Sequence, residues 1–193
     1  MMDDHADRTL LHTRQVTCTG YLRKDGLIDI EGYITDVKPH DCRALYRVVD
    51  AGTPFHEMRV VMTVDWDFVI RNITASTELA PTPFCSEITA AYEGLKGLKI
   101  GPGFKKKVSQ IVGGVEGCTH LTELLGPMAT TLYQTTYEMR REAEARRAAS
   151  DPDYQPGTPW MIGSCHTYQP DSVATHRVIE LREELIQAIQ LQG

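Results

Sequence analysis

Alternating apolar and polar residues dominate the first half of the chain and predict β-strands. Residues 16–23 are rich in β-branched side chains, and Asp25 with Gly26 suits a tight hairpin turn. Residues 27–36 then alternate apolar with polar positions, as the returning strand of a hairpin does. We therefore predict a first β-hairpin at this end of the chain.

A second hairpin is predicted farther along the chain. Residues 57–64 alternate in the same way, a turn follows at residues 65–67, and residues 68–75 form the returning strand. Residues 44–49 predict a short strand between the two hairpins. Because a hairpin joins antiparallel neighbours, we expect the strands to form one antiparallel sheet.

Apolar residues in the second half of the chain recur at helical spacing. We predict helices over residues 85–95, 104–112, 118–148 and 176–191, and we expect Pro127 to kink or split the third one. A sheet followed by helices is typical of the α+β class. The predicted fold is an antiparallel sheet of two β-hairpins packed against three to four helices.

The domain organisation follows from a change in composition near residue 150. We expect a single α+β domain over residues 8–149. Residues 150–193 are expected to form a proline-rich connector followed by a C-terminal amphipathic helix. Residues 138–147, just before the connector, carry many charges and few apolar side chains, which is typical of a solvated helix.

Composition and charge restrict the classes of function. The chain has 193 residues, of which 41% are hydrophobic, and a net charge of −6, so it is expected to be globular and not a general nucleic-acid binder. No stretch has the length and apolarity of a membrane span, and the N-terminus lacks the pattern of a secretory signal. Its five cysteines are then expected to be reduced thiols in a cytoplasmic protein.

The segment over residues 113–121 is the strongest chemical signal. A glycine-rich turn precedes Cys118 and His120, and an apolar helical pattern follows at once. A helix start has unpaired backbone N–H groups and the positive end of the helix dipole, which favour a thiolate. Cys118 and His120 are therefore either a pair of metal ligands or a reactive thiol with its base.

Separated single residues would have to complete a metal site, because the sequence contains no CxxC pair. Cys85 is predicted to lie at another helix start, after Pro83, and His56 lies at the mouth of the second hairpin. Thiolate and imidazole are the usual protein ligands of zinc and iron. The predicted metal ligands are Cys85, Cys118, His120 and His56, and less surely Cys165 and His166.

Two further groups are weaker candidates. Asp29 and Glu31 fall on one face of a predicted strand, where they could form an acid pair or a site for a hard metal, although such residues usually form a solvated face. Lys105 and Lys106 follow a glycine turn, where lysines and helix N–H groups could bind a phosphate or carboxylate of a substrate or cofactor. Exposed lysines on a helix face are the alternative.

Four segments of the chain carry a resemblance to a known family: residues 20–32, residues 56–58, residues 113–121 with 123–125, and residues 164–166. Through these segments the chain resembles an uncharacterised bacterial family, domain of unknown function 2889, over most of residues 8–168. That family implies no established activity, and the helix after His176 looks like an addition to its pattern.

A more distant resemblance is to the NifU-type iron–sulfur scaffold proteins. Their ligands lie in a hairpin, at the start of the first helix and at the opening of the last helix. This order is similar to that of residues 57–75, Cys85, and Cys118 with His120. No cysteine occupies the hairpin position here, and the histidine follows the cysteine instead of preceding it. The resemblance implies a NifU- or SufE-like core with a metal pocket, but not cluster assembly.

Three functions follow as hypotheses. The first is a metal-binding protein with zinc or iron in a Cys/His pocket, which would be an enzyme acting on a small organic acid or thioester if one coordination position stays open. The second is a metal-free enzyme with Cys118 as nucleophile and His120 or His166 as base. The third is an interaction module without catalysis, in which the C-terminal helices form a homo-oligomer.

Overall fold

The computed structural model describes residues 7–191 of the chain. The chain divides into two compact units, one ending at Thr135 and the other beginning at Thr136. This division lies within the third predicted helix. The boundary predicted between residues 149 and 150 was inferred from a change in composition, and it stays a prediction.

The strands of the first unit are β1 (Thr13–Leu22), β2 (Ile28–Val37), β3 (Cys42–Arg43), β4 (Val48–Val49), β5 (Pro54–Val64) and β6 (Ile70–Leu79). Four of them form an antiparallel sheet in the order β1-β2-β5-β6. Both predicted hairpins are confirmed, and together they make this sheet. The short strand predicted over residues 44–49 is wrong in extent, because only its last two residues pair, with Cys42 and Arg43, in a separate two-stranded sheet.

One face of this sheet is buried under helices. On β2 every second residue from Ile28 to Asp36 is buried, and the residues between them are partly exposed. The strand period of two places these buried residues on one face, together with the apolar residues of β5. Burying a Val, Ile or Met side chain contributes about 1.5–3 kcal/mol to stability, so this face fixes the register of the sheet.

Two helices of the first unit supply the other side of the core. Helix α1 (Phe104–Val112) is confirmed with its predicted bounds. Helix α2 (Thr119–Ser150) begins one residue after Cys118 and agrees with the predicted helix to within two residues. The core cluster takes from these helices Phe104, Val108, Val112, Leu121, Leu124, Leu125, Met128 and Leu132. The predicted α+β fold is therefore confirmed.

The α-helix predicted over residues 85–95 is wrong in type. Two 3-10 helices stand there, Pro83–Ser86 and Thr89–Leu95. Tyr92 and Leu95 are fully buried. Side chains three residues apart lie on the same side of a 3-10 helix, and nearly so in an α-helix. The spacing of Tyr92 and Leu95 therefore does not distinguish the two kinds of helix.

Pro127 does not split α2, which runs unbroken from Thr119 to Ser150, so the predicted division is wrong and the predicted kink stays a prediction. A proline inside a helix removes the hydrogen bond to the carbonyl four residues earlier, here that of Glu123. Both Pro127 and Glu123 are exposed, so water can reach the side of the helix where this bond is missing. The next apolar residues, Met128 and Leu132, are fully buried and keep the helix on the core.

The second unit contains the end of α2, a proline-containing connector and helix α3 (Val173–Gln190). The Ser172 side chain caps α3 by accepting a hydrogen bond from the Thr175 backbone N–H. The Arg182 side chain donates to the Gly157 carbonyl in the connector at 2.7 Å. Among the residues that the structure describes, no helix combines the length and the apolarity needed to cross a membrane.

Gly20 lets α2 approach β1 closely, which makes a first testable prediction. A Cβ atom on Gly20 would lie 1.9 Å from Thr135 Oγ1 and 2.8 Å from Thr135 Cβ. Since overpacking a core costs about 1–3 kcal/mol, Gly20→Ala should lower the free energy of unfolding in urea by that amount. Gly157→Ala is the matched control, because nothing lies within 4 Å of its Cβ position. Equal stability of the two variants would contradict this close packing.

Candidate metal centre

Asp36 is a carboxylate at a core position of the sheet. It follows Ile28, Ile30 and Ile34 on the buried face of β2, and its side chain is completely buried. Its partner across the sheet is His56 of β5, and the register of the two strands shifts directly after this pair. The sheet thus carries one Asp–His pair at the end of an otherwise apolar face.

Three side chains surround the Asp36 carboxylate with hydrogen bonds. Oδ1 accepts from His12 Nε2 at 2.9 Å and from Arg14 Nε at 2.8 Å. Oδ2 accepts from Arg14 Nη2 at 2.8 Å and from His56 Nδ1 at 2.9 Å. A carboxylate has about four lone-pair sites, so Asp36 is fully hydrogen-bonded although no water reaches it.

These bonds decide the ionisation of Asp36. Burial raises the pKa of its carboxyl, but the hydrogen bonds and charges of Arg14, His12 and His56 lower it more, and the net pKa lies far below the ordinary value. Asp36 is therefore a carboxylate at neutral pH.

His120, in the first turn of α2, completes the cluster. Its Nε2 lies 3.6 Å from Asp36 Oδ2, and its ring is stacked on that of His56 with 4.0 Å between the ring centroids. Burial lowers the pKa of both histidines, and the nearby positive charge of His120 lowers that of His56 further. Asp36, His56 and His120 each offer one ligand atom, and these three atoms lie within 4.8 Å of one another.

Cys118 lies on the other side of the His120 ring. Its Sγ is 3.9 Å from His120 Nδ1 and 4.0 Å from Met58 Sδ. The buried phenol of Tyr92 holds the Cys118 backbone, since its oxygen accepts from the Cys118 N–H at 3.1 Å and lies 2.8 Å from the Cys118 carbonyl. Helix α2 and the 3-10 helix over Thr89–Leu95 together fix this thiol.

Arg14 links the cluster to α2. Its guanidinium forms two hydrogen bonds with Asp36, and its Nη1 donates to Glu123 Oε2 at 2.7 Å. Glu123 is exposed, whereas Asp36 is not, so the arginine joins a buried and a solvated carboxylate. Burial lowers the pKa of His120 most, and the positive charge of Arg14 lowers it further.

The structure brings together three of the four predicted metal ligands. His56 and His120 share the Asp36 carboxylate, and Cys118 neighbours His120. The fourth predicted ligand, Cys85, contacts a different residue, Thr82, whose Oγ1 lies 3.2 Å from its Sγ. Neither cysteine belongs to the group of ligand atoms within 4.8 Å.

The remaining candidates lie outside this cluster. Lys105 and Lys106 are exposed in the first turn of α1, and Lys105 lines a surface cavity of about 350 Å³ beside Phe104 and Tyr133. Cys165 and His166 are exposed residues of the second unit.

Asp29 and Glu31 have partners of their own, as a solvated strand face predicts. Asp29 accepts from the Thr63 hydroxyl at 2.6 Å, and Glu31 accepts from Arg59 at 2.6 Å. Neither belongs to the three-residue group of candidate ligands, and the acid pair and the hard-metal site stay predictions.

Sequence reasoning missed Asp36 as a site residue, together with His12 and Arg14. A usable signal was present, because Asp36 stands in the same phase of β2 as its buried isoleucines, and His56 stands in the phase of Met58 on β5. A charged residue in the buried phase of a strand needs buried partners. His12 and Arg14 lie near the start of β1 and carry no comparable signal.

The carboxylate cluster predicts a pH-dependent stability. In chelator-treated protein, Asp36→Asn should lower the free energy of unfolding at pH 7 by about 2–3 kcal/mol, because charge-assisted hydrogen bonds are lost. A lowered folded-state pKa stabilises the protein above the unfolded pKa of about 4, and this stabilisation is lost as the pH falls below it. The gap to the wild type should therefore narrow steadily as the pH falls from 4 to 2 in urea titrations, and it should vanish only below the lowered folded-state pKa. The exposed Asp67→Asn is the control, and a gap independent of pH would contradict the assignment.

The comparisons with known proteins concern this same part of the chain. No curated protein and no solved structure matches the chain, so the resemblance to NifU- or SufE-type scaffolds stays a prediction. One family profile matches residues 12–134, a range that begins at His12 and contains every residue of the cluster. The chain belongs to DUF2889, a family of proteins of unknown function.

Proposed function

We propose that this protein binds a divalent transition metal ion, zinc or iron, at Asp36, His56 and His120. The observation that carries the proposal is the convergence of one carboxylate oxygen and two imidazole nitrogens within 4.8 Å of one another. Two histidines and one carboxylate are a common ligand set for non-haem iron(II), and zinc enzymes use the same three groups.

The surroundings of the cluster suit ligands of a metal. Oδ1 of Asp36 is held by His12 and Arg14, whereas Oδ2 faces the two histidine rings and also accepts from Arg14 Nη2. Such outer partners orient ligands in metalloproteins and contribute to affinity. An ion would replace the hydrogen bond between His56 Nδ1 and Asp36 Oδ2, and its positive charge would take over the role of the donated proton.

Three protein ligands support an enzymatic role. Structural zinc sites close with four protein ligands, whereas catalytic sites keep a position for water or substrate. The side chains of His56 and His120 are 13% and 21% exposed, so solvent reaches the histidine side of the cluster. A metal there would activate water or polarise a carbonyl, and we propose a small organic acid or thioester as the substrate.

Metal content tests this function directly. Protein purified without chelator or immobilised nickel should contain near-stoichiometric zinc or iron by elemental analysis, or should bind either ion after anaerobic reconstitution. His56→Gln and Asp36→Asn should each lose the metal, and removing it from the wild type should lower the melting temperature, because a ligand that binds only the native state stabilises it.

His40→Ala and Cys85→Ser are the matched controls. His40 is an exposed loop residue, and Cys85 contacts Thr82, so both variants should keep the metal. A wild type that binds neither ion after reconstitution, or a His56→Gln variant with full metal content, would exclude this function.

The second candidate function is a metal-free cysteine enzyme, and one observation favours it. Cys118 Sγ, the His120 ring and Asp36 Oδ2 lie in series, with 3.9 Å from sulfur to Nδ1 and 3.6 Å from Nε2 to Oδ2. This is the order of nucleophile, base and orienting carboxylate found in catalytic triads. His120 would take the thiol proton, and Asp36 would stabilise the resulting imidazolium.

Thiol labelling separates this candidate from the first. If Cys118 is an activated nucleophile, chelator-treated protein should react with iodoacetamide first at Cys118, and His120→Ala should slow that reaction while the other cysteines react as before. Peptide mass spectrometry after short labelling times identifies the site. A Cys118 that reacts no faster than the exposed Cys165 would exclude the nucleophile.

A further inference from the structure

We propose a second metal site, for a soft monovalent ion such as Cu(I), formed by Cys118 Sγ, Met58 Sδ and His120 Nδ1. It is distinct from the Asp36 cluster in ligands and chemistry, and it does not depend on the proposed function. The two sites have only the His120 ring in common, and they use opposite nitrogens of that ring.

The two distances from the Cys118 sulfur fit a three-coordinate ion. The thiol sulfur lies 4.0 Å from the thioether sulfur of Met58 and 3.9 Å from Nδ1 of His120. With the bond lengths of zinc sites, about 2.3 Å to sulfur and about 2.0 Å to nitrogen, and with the ligands spread in a plane, neighbouring donors are separated by roughly 3.7–4.0 Å. Cys118 could therefore share an ion with Met58 and with His120 at about the present spacing.

The donor chemistry selects a soft ion. Thiolate and thioether ligands favour Cu(I), whereas a thioether is a poor ligand for hard ions. Met58 is only 1% exposed, and its partner across the sheet is the fully buried Ile34, so the Met58 side of the site is apolar. A monovalent ion bound to one thiolate leaves no net charge there, which suits such a setting.

The protonation of the ligands is consistent with this site. Cys118 loses its thiol proton to solvent as the copper–sulfur bond forms, and copper stays in its reduced state throughout. The Asp36 carboxylate, 3.6 Å from His120 Nε2, favours the tautomer with the proton on Nε2. That tautomer leaves the Nδ1 lone pair free toward Cys118 and Met58.

The backbone of the site is fixed before an ion binds. Tyr92 is fully buried, and its phenol contacts both the N–H and the carbonyl of Cys118. Met58 lies within a strand that pairs on both sides, with β2 and with β6. Two rigid elements therefore present the two sulfurs, and ligands held in this way lose little entropy on binding.

Because both proposed sites use His120, an ion bound at one site should weaken the binding of an ion at the other. A divalent ion at Asp36 and His56 needs the lone pair of His120 Nε2, whereas Cu(I) beside Cys118 needs that of Nδ1. A neutral imidazole has one lone pair on nitrogen. The two ions should therefore compete for the protein although their other ligands differ.

Anaerobic competition for Cu(I) against bicinchoninate tests the site in the full chain. Replacing Cys18 by alanine and Cys42, Cys85 and Cys165 by serine first removes the four other thiols, each of which is at least partly exposed. This background protein should take up one Cu(I). Since losing even an outer partner costs about 10- to 100-fold in metal affinity, Met58→Leu and Cys118→Ser should each weaken binding by at least that factor. Met58→Leu conserves volume, and its fold is checked by urea unfolding.

His40→Ala is the matched control, because this exposed loop histidine belongs to neither site. It should bind Cu(I) as the background protein does. Three results would overturn the proposal: no Cu(I) uptake by the background protein, unchanged affinity in folded Met58→Leu, or an equal loss in His40→Ala. Zinc binding by the same proteins tests the Asp36 site separately. The data can therefore exclude one of the two sites without excluding the other.

Discussion

The buried carboxylate of Asp36 is the constraint on which this end of the molecule depends. Removing an ion from water costs several kcal/mol, and only well-formed charged hydrogen bonds offset that cost. Asp36 obtains four, from His12, Arg14 and His56. These donors lie ahead of β1, on β1 and on β5, and Arg14 also contacts Glu123 of α2. One charge thus ties the chain before the sheet, two strands and a helix together.

The sheet was predictable because its signal is local and repeated. Each residue of β2 lies on the face opposite to its neighbours, so its sequence displays the buried side directly. Helix α1 was predictable for the same reason, with Phe104, Val108 and Val112 at helical spacing. The segment before α1 was not, because Tyr92 and Leu95 are three residues apart, a spacing that α- and 3-10 helices both satisfy.

Only those residues of the candidate site were predictable whose type alone suggests a metal ligand or a nucleophile. His56, Cys118 and His120 stood out by residue type, and the structure places both His56 and Cys118 next to His120. Cys85 and Cys118 looked alike in sequence, since each was expected at a helix start. Cys85 instead lies in a four-residue 3-10 helix, which has almost no dipole to offer, and its distance from Cys118 in space was not encoded locally. Asp36 was not recognised as a site residue, because carboxylates on strands usually face the solvent.

The chemistry of the whole cluster depends on one proton. His120 has Asp36 at Nε2 and Cys118 with Met58 near Nδ1. A divalent ion beside Asp36 needs the Nε2 lone pair, whereas a nucleophilic thiol or a soft ion needs Nδ1. The carboxylate favours a proton on Nε2 when no ion is present and would stabilise an ion bound there. If both proposed sites exist, the metal ions supplied would select which nitrogen of His120 is used.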